Sequence, residues 1–331
     1  MANCNEQFLD FDETIKLNDS RVRDLKRTRK RLRKDIRKDF KENHKDEIKP
    51  KFWGQGSFKV GTSVNPIPKE VIKDGKKKTL LVYDVDDGIY FIGNENEKKD
   101  IAVYHNWIYN AVKGHTDQDP IDKSTCVRTV FSDGHHIDQP IYYEVNNKVP
   151  QLAHKSKGWI YSDPRDFCNW IENKAENNNQ LKRLIRYFKS WCDVVNHTEG
   201  SKKMPSGLVM TIWVCENAVF NERDDIAMEG TLGKIKLLTD SQASLSCIRP
   251  TTPKGENLLE DYAYHAFFKS KLSKFVESAM QAIRENNPKR ACAKWQMHFG
   301  TRFSCSTAKD IDENAKTFPS RAIITENAKS A

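Results

Sequence analysis

No stretch of the 331 residues stays apolar for the ~18 positions that a membrane-spanning helix needs, so a helical membrane protein is excluded. The opening residues, Met1-Ala2-Asn3-Cys4-Asn5-Glu6, lack the basic-then-apolar order of a secretion signal, and the cytoplasm is the expected compartment. Cys-x-x-Cys pairs are missing as well. The eight cysteines, Cys4, Cys126, Cys168, Cys192, Cys215, Cys247, Cys292 and Cys305, are scattered, and His135-His136 has no cysteine at ligand spacing nearer than Cys126. That pattern argues against a zinc site and for free, buried thiols. No internal repeat is evident.

What is present suffices for a sizeable core: 37% hydrophobic residues and seven tryptophans. The length suits two small domains or one bilobal unit. A formal net charge of +9 favours an anionic partner, for which nucleoside triphosphates suffice and nucleic acid also serves.

The chemistry concentrates between Phe52 and Phe91. Phe52-Trp53-Gly54-Gln55-Gly56-Ser57-Phe58 is a Gly-Ser turn between apolar residues, and Tyr83-Asp84-Val85-Asp86-Asp87-Gly88-Ile89-Tyr90-Phe91 reads as a strand holding acids. Residues two apart on a strand share a face, so Asp84 and Asp86 point one way and Val85 the other. Two like charges that close are costly unless a cation sits between them. Carboxylate oxygens are what Mg²⁺ prefers, and backbone N–H groups of a tight turn hold the phosphates that complete its shell. Each piece alone has a plainer reading: Asp-x-Asp is common, Asp86-Asp87-Gly88 also reads as a turn, and an isolated Gly-Ser says little. A third acid, Asp138 in His136-Ile137-Asp138-Gln139-Pro140-Ile141-Tyr142, lies in another apolar, strand-like run. Beside three acids, His135 and His136 read as turn and strand-flank residues rather than ligands.

Gly-Ser, then Asp-x-Asp, then a lone Asp on a later strand resembles the polymerase-β nucleotidyltransferase pattern. The wording of these three segments, with Gly158-Trp159-Ile160-Tyr161-Ser162-Asp163-Pro164 and Trp295-Gln296-Met297-His298-Phe299-Gly300-Thr301-Arg302-Phe303, is similar to the bacterial cGAS/DncV-like nucleotidyltransferases, or CD-NTases, from about Lys51 to Phe303. The resemblance implies an α+β, bilobal, polymerase-β-like fold with the active site in the cleft. It divides the chain into a spine helix and sheet lobe (1–158), a helical lobe (159–305) and a flexible tail (306–331). It implies two Mg²⁺ ions, with Mn²⁺ as an alternative, on catalytic Asp84, Asp86 and Asp138. Nucleotide contacts are implied at Gln55, Gly56, Ser57, Tyr142, Ser162, Lys189 and Ser206.

The rest of the chain fills in that plan. Residues 1–18 look irregular. Asn18-Asp19-Ser20 caps a helix reaching about Asn43, with a stripe of Val22, Leu25, Leu32, Ile36 and Phe40. Its other faces carry Arg27-Thr28-Arg29-Lys30-Arg31. Two readings stand, a solvated helix packed by its stripe, which the all-round charge favours, and a nucleic-acid surface. His44–Lys51 is a linker and Ser57–Val64 a strand. Lys73-Asp74-Gly75-Lys76-Lys77-Lys78 is an exposed hairpin tip, part of an insertion relative to the family. Helical spacing covers Asp100–Gly114, and strands cover Thr125–Phe131 and His136–Val145. A polar linker precedes Gly158, and a helix over Arg165–Asn173 starts at a Ser162 or Asp163 cap with Pro164 first. A helical stripe follows from Gln180, with Lys189 beside it, and Ser206 caps an apolar helix to about Phe220. Cys247–Asn257 is a loop, and Leu258–Glu285 and Pro288–Phe299 are helices. Residues 306–331 lose all periodicity.

The expected activity is the joining of NTPs, ATP and/or GTP, into a cyclic di- or oligonucleotide signal. It would activate an effector in CBASS-type anti-phage defence, without need of nucleic acid. In the resembled family such tails are conjugated through their terminal carboxylate by ubiquitin-ligase-like partners, here at Ala331. A nucleotidyltransferase acting on RNA or protein, and a non-catalytic RNA-binding module, are the rival readings.

Overall fold

Asn18 starts the longest helix: its side chain accepts a hydrogen bond from the Arg21 N–H, the N-cap arrangement its residue type favours. The computed structural model describes residues 1–311 apart from Asp74, Asn147 and Asn177. Helix α2 (Asp19–Glu42) buries Leu25, Leu32, Ile36 and Phe40 against the sheet. Before it, α1 (Asn5–Ile15) replaces the irregular segment expected for residues 1–18. Phe8, Phe11 and Ile15 recur at helical spacing and are wholly buried, so burial decides a segment whose other residues are polar.

The sheet lobe follows. Strand β1 (Lys51–Gln55) leads into α3 (Gly56–Val60), then the hairpin β2 (Lys69–Lys73) and β3 (Lys76–Leu80), then β4 (Asp84–Gly93). Helix α4 (Ile101–Val112) precedes β5 (Ile121–Asp122), β6 (Cys126–Val130), β7 (His136–Val145), β8 (Gln151–His154) and β9 (Gly158–Tyr161). The main sheet runs β1-β4-β7-β6-β5, with β8 also on β7 and β9 on β8. β4 and β7 are parallel and every other pairing in it is antiparallel. Val85, Ile89 and Phe91 of β4 form the core under α2 and α4 with Tyr104, Ile108, Ile137 and Ile141.

A second core is helical. It joins α1 to α5 (Pro164–Ala175), α6 (Asn179–Thr198), α7 (Gly207–Asn217), α8 (Asp224–Asp240), α9 (His265–Arg284) and α10 (Pro288–Phe299). At its centre the Phe8 ring meets Tyr187, Trp295, Phe299 and Phe303 edge-on, the geometry that aromatic quadrupoles favour. Among the described residues no helix is long and apolar enough to cross a membrane.

Four further expectations change. Ser57–Val64 is not a strand: Gly56 and Gly61 both take positive φ, and the segment between them winds into α3. The polar linker before Gly158 is the β8–β9 hairpin, whose short strands alternate too few apolar residues to announce themselves. The helix expected from Leu258 begins only at His265, because the Asn257 side chain and a Leu259–Tyr262 turn use the preceding backbone groups. Finally, Cys292 and Cys305 are bonded rather than free. The 3-10 turn Gly300–Arg302 folds the chain back along α10 and brings their Cα atoms to 5.8 Å, while the other six cysteines are free and buried. The expected tail from 306 falls, from residue 312 on, outside the described residues, as does Ala331.

Candidate active site

Parallel register brings the acids together. Asp84 lies opposite His136 and Asp86 opposite Asp138 on the neighbouring strands β4 and β7. The Asp133-Gly134 turn folds β6 back on β7, which sets Arg128 opposite Asp138. Arg128 grips both carboxylate oxygens of Asp138 at 2.6 Å and approaches Asp84 at 3.5 Å. His136 Nε2 contacts the same oxygen of Asp84, Oδ1, that Arg128 approaches.

The three acids are therefore unequal. Burial pushes Asp84 up, but His136, Arg128 and Lys123 outweigh it and hold the group below the ordinary carboxylate range. Asp86 goes the opposite way, to about 7. Burial raises it, Asp138 and Asp84 raise it further, and Arg128 and His136 offset only part. Among the described residues Asp86 has no hydrogen-bond or ion-pair partner. Its Oδ2 faces the Gly-Ser turn so closely that a Cβ on Gly56 would overlap it, and Gly56 has φ +67°, so both contact and conformation require glycine here.

A divalent cation fits this set by its chemistry. Three carboxylates are clustered, one of them, Asp86, half-buried and without a partner among the described residues, and added positive charge favours its ionised form near neutral pH. As they stand, no three His, Cys, Asp or Glu side chains among the described residues converge in ligand geometry, because Arg128 and His136 hold Asp138 and Asp84.

The helical wall faces the turn. A cavity of about 610 Å³ opens between the lobes, and Ser57, Asp84, Lys189 and Ser206 all line it. Ser57 Oγ hydrogen-bonds Ser63 Oγ at 2.9 Å. Lys189 Nζ donates to the Thr62 carbonyl and hydroxyl at 3.3 Å, which aims it from α6 toward the Gly-Ser turn. Burial lowers its pKa to about 8 despite nearby Asp193. Ser206 caps α7, its Oγ accepting from Val209 N–H at 3.3 Å.

The remaining expected contacts lie elsewhere. Gln55 and Tyr142 are buried behind the turn, where Gln55 Nε2 donates to the Tyr142 hydroxyl at 3.1 Å and Tyr142 stacks on Tyr90. Neither lines the cavity, nor does Ser162, whose N–H donates to the Pro150 carbonyl and whose neighbour Asp163 caps α5. Sequence reasoning missed Arg128, Thr62, Ser63, Lys69, Asp193 and Lys203. Only Arg128 had a signal: it and Asp138 are equidistant from Asp133 in the hairpin turn.

Arg29 also departs from the solvated helix expected of α2. It is mostly buried against Gly54, 3.9 Å from Asp87 and over the Phe58 ring. Arg33 reaches the other side of Asp87, with Nε at 2.7 Å. Arg27, Lys30 and Arg31 remain exposed.

Residues 50–142 match the family model described as "Cyclic GMP-AMP synthase DncV-like, nucleotidyltransferase domain", so the resemblance first read from the three acidic and glycine motifs holds. A curated cyclic GMP-AMP synthase of Escherichia albertii is 28% identical over 263 residues, 76% of this chain and 54% of that protein. The chain thus spans about half the length of that relative. Crystal structures of Vibrio cholerae DncV share the fold. One in complex with nonhydrolyzable GTP has a TM-score of 0.72 at 18% identity, covering 92% of this chain and 97% of that one. Another, with the linear intermediate 5' pppA(3',5')pG, has a TM-score of 0.70 at 17% identity over 91% and 96%. The fold is α+β and polymerase-β-like.

Proposed function

We propose that this chain, whose residues 50–142 match the DncV-like nucleotidyltransferase domain, joins nucleoside triphosphates, ATP and/or GTP, into a cyclic di- or oligonucleotide. The observation that carries this reading is the Asp86–Asp138 register, which leaves one half-buried carboxylate without a partner among the described residues, beside Gly56 and the cavity of Ser57, Lys189 and Ser206. The relatives support the substrate: one DncV structure holds a linear pppA–pG intermediate and another ATP and GTP.

The residues divide the work. Ser57, Lys189 and Ser206 bind the donor triphosphate in the cavity between the lobes. Asp84, Asp86 and Asp138 would hold two Mg²⁺ ions, or Mn²⁺, which supply the positive charge that acidifies the acceptor hydroxyl and neutralises departing pyrophosphate. The acceptor oxygen attacks the α-phosphorus, the bond to the β-phosphate oxygen breaks, and the hydroxyl proton passes to the carboxylate cluster at Asp138 and Asp86. Arg128 is the charge that must yield, since it holds both oxygens of Asp138. A second transfer within the cleft closes the ring.

In this reading the protein is cytoplasmic, its product activates an effector in CBASS-type anti-phage defence, and the Ala331 carboxylate is a target of ubiquitin-ligase-like partners. The division in this reading is a spine-helix and sheet lobe at 1–158, a helical lobe at 159–305 and the tail, with α1 crossing over to pack in the helical core. The test is incubation with α-labelled NTPs and Mg²⁺, then phosphatase and mass spectrometry. A labelled product that resists phosphatase and has the mass of a cyclic oligonucleotide is expected. Label appearing only in linear products, RNA or protein would overturn the cyclising step.

A further inference from the structure

The insertion between the Gly-Ser turn and Asp84 is placed to act on substrate. It leaves the body of the lobe at Pro66 and Ile67 and returns at Val82 and Tyr83, and all four of these residues line the cavity that holds Ser57, Lys189 and Ser206. Between them β2 and β3 pair only with each other, so the hairpin hangs from the cavity rim by its two ends. Its return end is tied by Leu81 N–H to the Asp133 carbonyl at 3.4 Å, and Asp84 follows directly. The first residue of the hairpin, Lys69, also lines the cavity.

Lys69 stands across the cavity from the α6 wall. Asp193, one helical turn beyond Lys189, lines the same cavity, and the charges of Arg302, Lys189 and Lys69 act on its carboxyl. Lys203, on the loop before Ser206, supplies a third ammonium to the same space. Among the described residues neither Lys69 nor Lys203 has an ion pair, so both charges are available to an anion. Three lysines and three serines around one cavity suit a polyphosphate chain, whose non-bridging oxygens accept charge-assisted hydrogen bonds along its length.

We propose that Lys69, carried by the inserted hairpin, is a further donor-binding residue that contacts the outer phosphates and makes the site select triphosphates over diphosphates. This rests on the nucleotidyltransferase reading of the cleft and adds to it a selectivity residue from outside the matched motifs. Lys189 is anchored to Thr62 beside the Gly-Ser turn and so serves the inner part of the chain. Lys69, at the rim, serves the end of it.

The experiment is calorimetric binding of α,β-methylene GTP and α,β-methylene GDP to the full chain, wild type, Lys69→Ala and Lys69→Arg, each checked by thermal melting. One lost charged phosphate contact at an exposed position is expected to weaken triphosphate binding roughly tenfold and diphosphate binding less than about twofold, with Lys69→Arg near wild type. A second variant, with residues 70–79 replaced by a Gly-Gly link, should show the same selective loss if the hairpin is what aims Lys69. Equal weakening of both ligands, or none, in Lys69→Ala while wild type binds the triphosphate overturns this inference and leaves the reading of the cleft standing. Failure of wild type to bind these ligands and their adenosine counterparts overturns both.

Discussion

The two faces of β4 carry adjacent acids with opposite fates. Asp87 points into the core under α2, wholly buried, where Arg33 and Arg29 neutralise it. Asp86, one residue earlier, faces the Gly-Ser turn on the opposite side, where burial and then its carboxyl neighbours raise it to about 7 and among the described residues nothing pairs with it. The strand's alternation sends them to opposite sides, and the partners waiting there decide what each can do. A buried acid with two arginines is a brace between the spine helix and the sheet. A half-buried acid left without a partner is a place that suits a cation.

The largest effect should come from the cleft face. Asp86→Asn is expected to cut turnover by about 10³-fold or more, the scale of removing one preorganised electrostatic element, while the melting temperature stays or rises as like-charge repulsion is relieved. Product assay and melting of one preparation check both halves. On the core face the pattern inverts. Asp87→Ala strands Arg33 and should destabilise by about 3–5 kcal/mol in denaturant unfolding, the usual cost of breaking a buried pair. If the two variants gave the same phenotype, the division between the faces would be lost.

The next effect sharpens the contrast between the acid sheet and the basic helical wall. Lys189→Ala should weaken non-hydrolysable NTP binding by roughly 10- to 100-fold, as expected for a charged phosphate contact of about 1.5–3 kcal/mol. The same lysine sets a pH dependence. Burial lowers it to about 8, with Asp193 opposing, and the triphosphate prefers its protonated form. The protonated fraction falls as pH rises through that value, so affinity should hold near pH 7 and decline toward pH 9, and Lys189→Arg should flatten the decline. Titrations of affinity against pH test the sign directly. The smallest effect is expected on the exposed side of α2: reversing Arg27, Lys30 and Arg31 should leave synthesis without nucleic acid unchanged, whereas Arg29→Glu, set against Asp87, should destabilise the protein.

How much of this the sequence disclosed follows from the range of each interaction. Asp84 and Asp86 were legible because a strand's alternation is local, and Ser206 as a cap because its helix starts beside it. Arg128 and the partners of Asp87 were not, since they depend on which strand or helix lies alongside. That is also why Arg29 looked like a solvated charge: its helix position shows neither Gly54 nor Phe58. Helix α1 and the β8–β9 hairpin were missed for another reason. Their own patterns are weak, and packing or pairing partners far along the chain make them form. Gln55 and Tyr142 carry motif wording, yet they face each other behind the turn and not the cavity.

The account rests on Asp86 being a working carboxylate, and the most direct measurement is pyrophosphate release from ATP and GTP with Mg²⁺, by wild type and Asp86→Asn side by side. Steady release by wild type, and none above background by a variant that melts at the wild-type temperature or higher, is the expected result. Release at comparable rates from both proteins would contradict the assignment of Asp86, and no release from wild type at any divalent-ion concentration would contradict the activity itself.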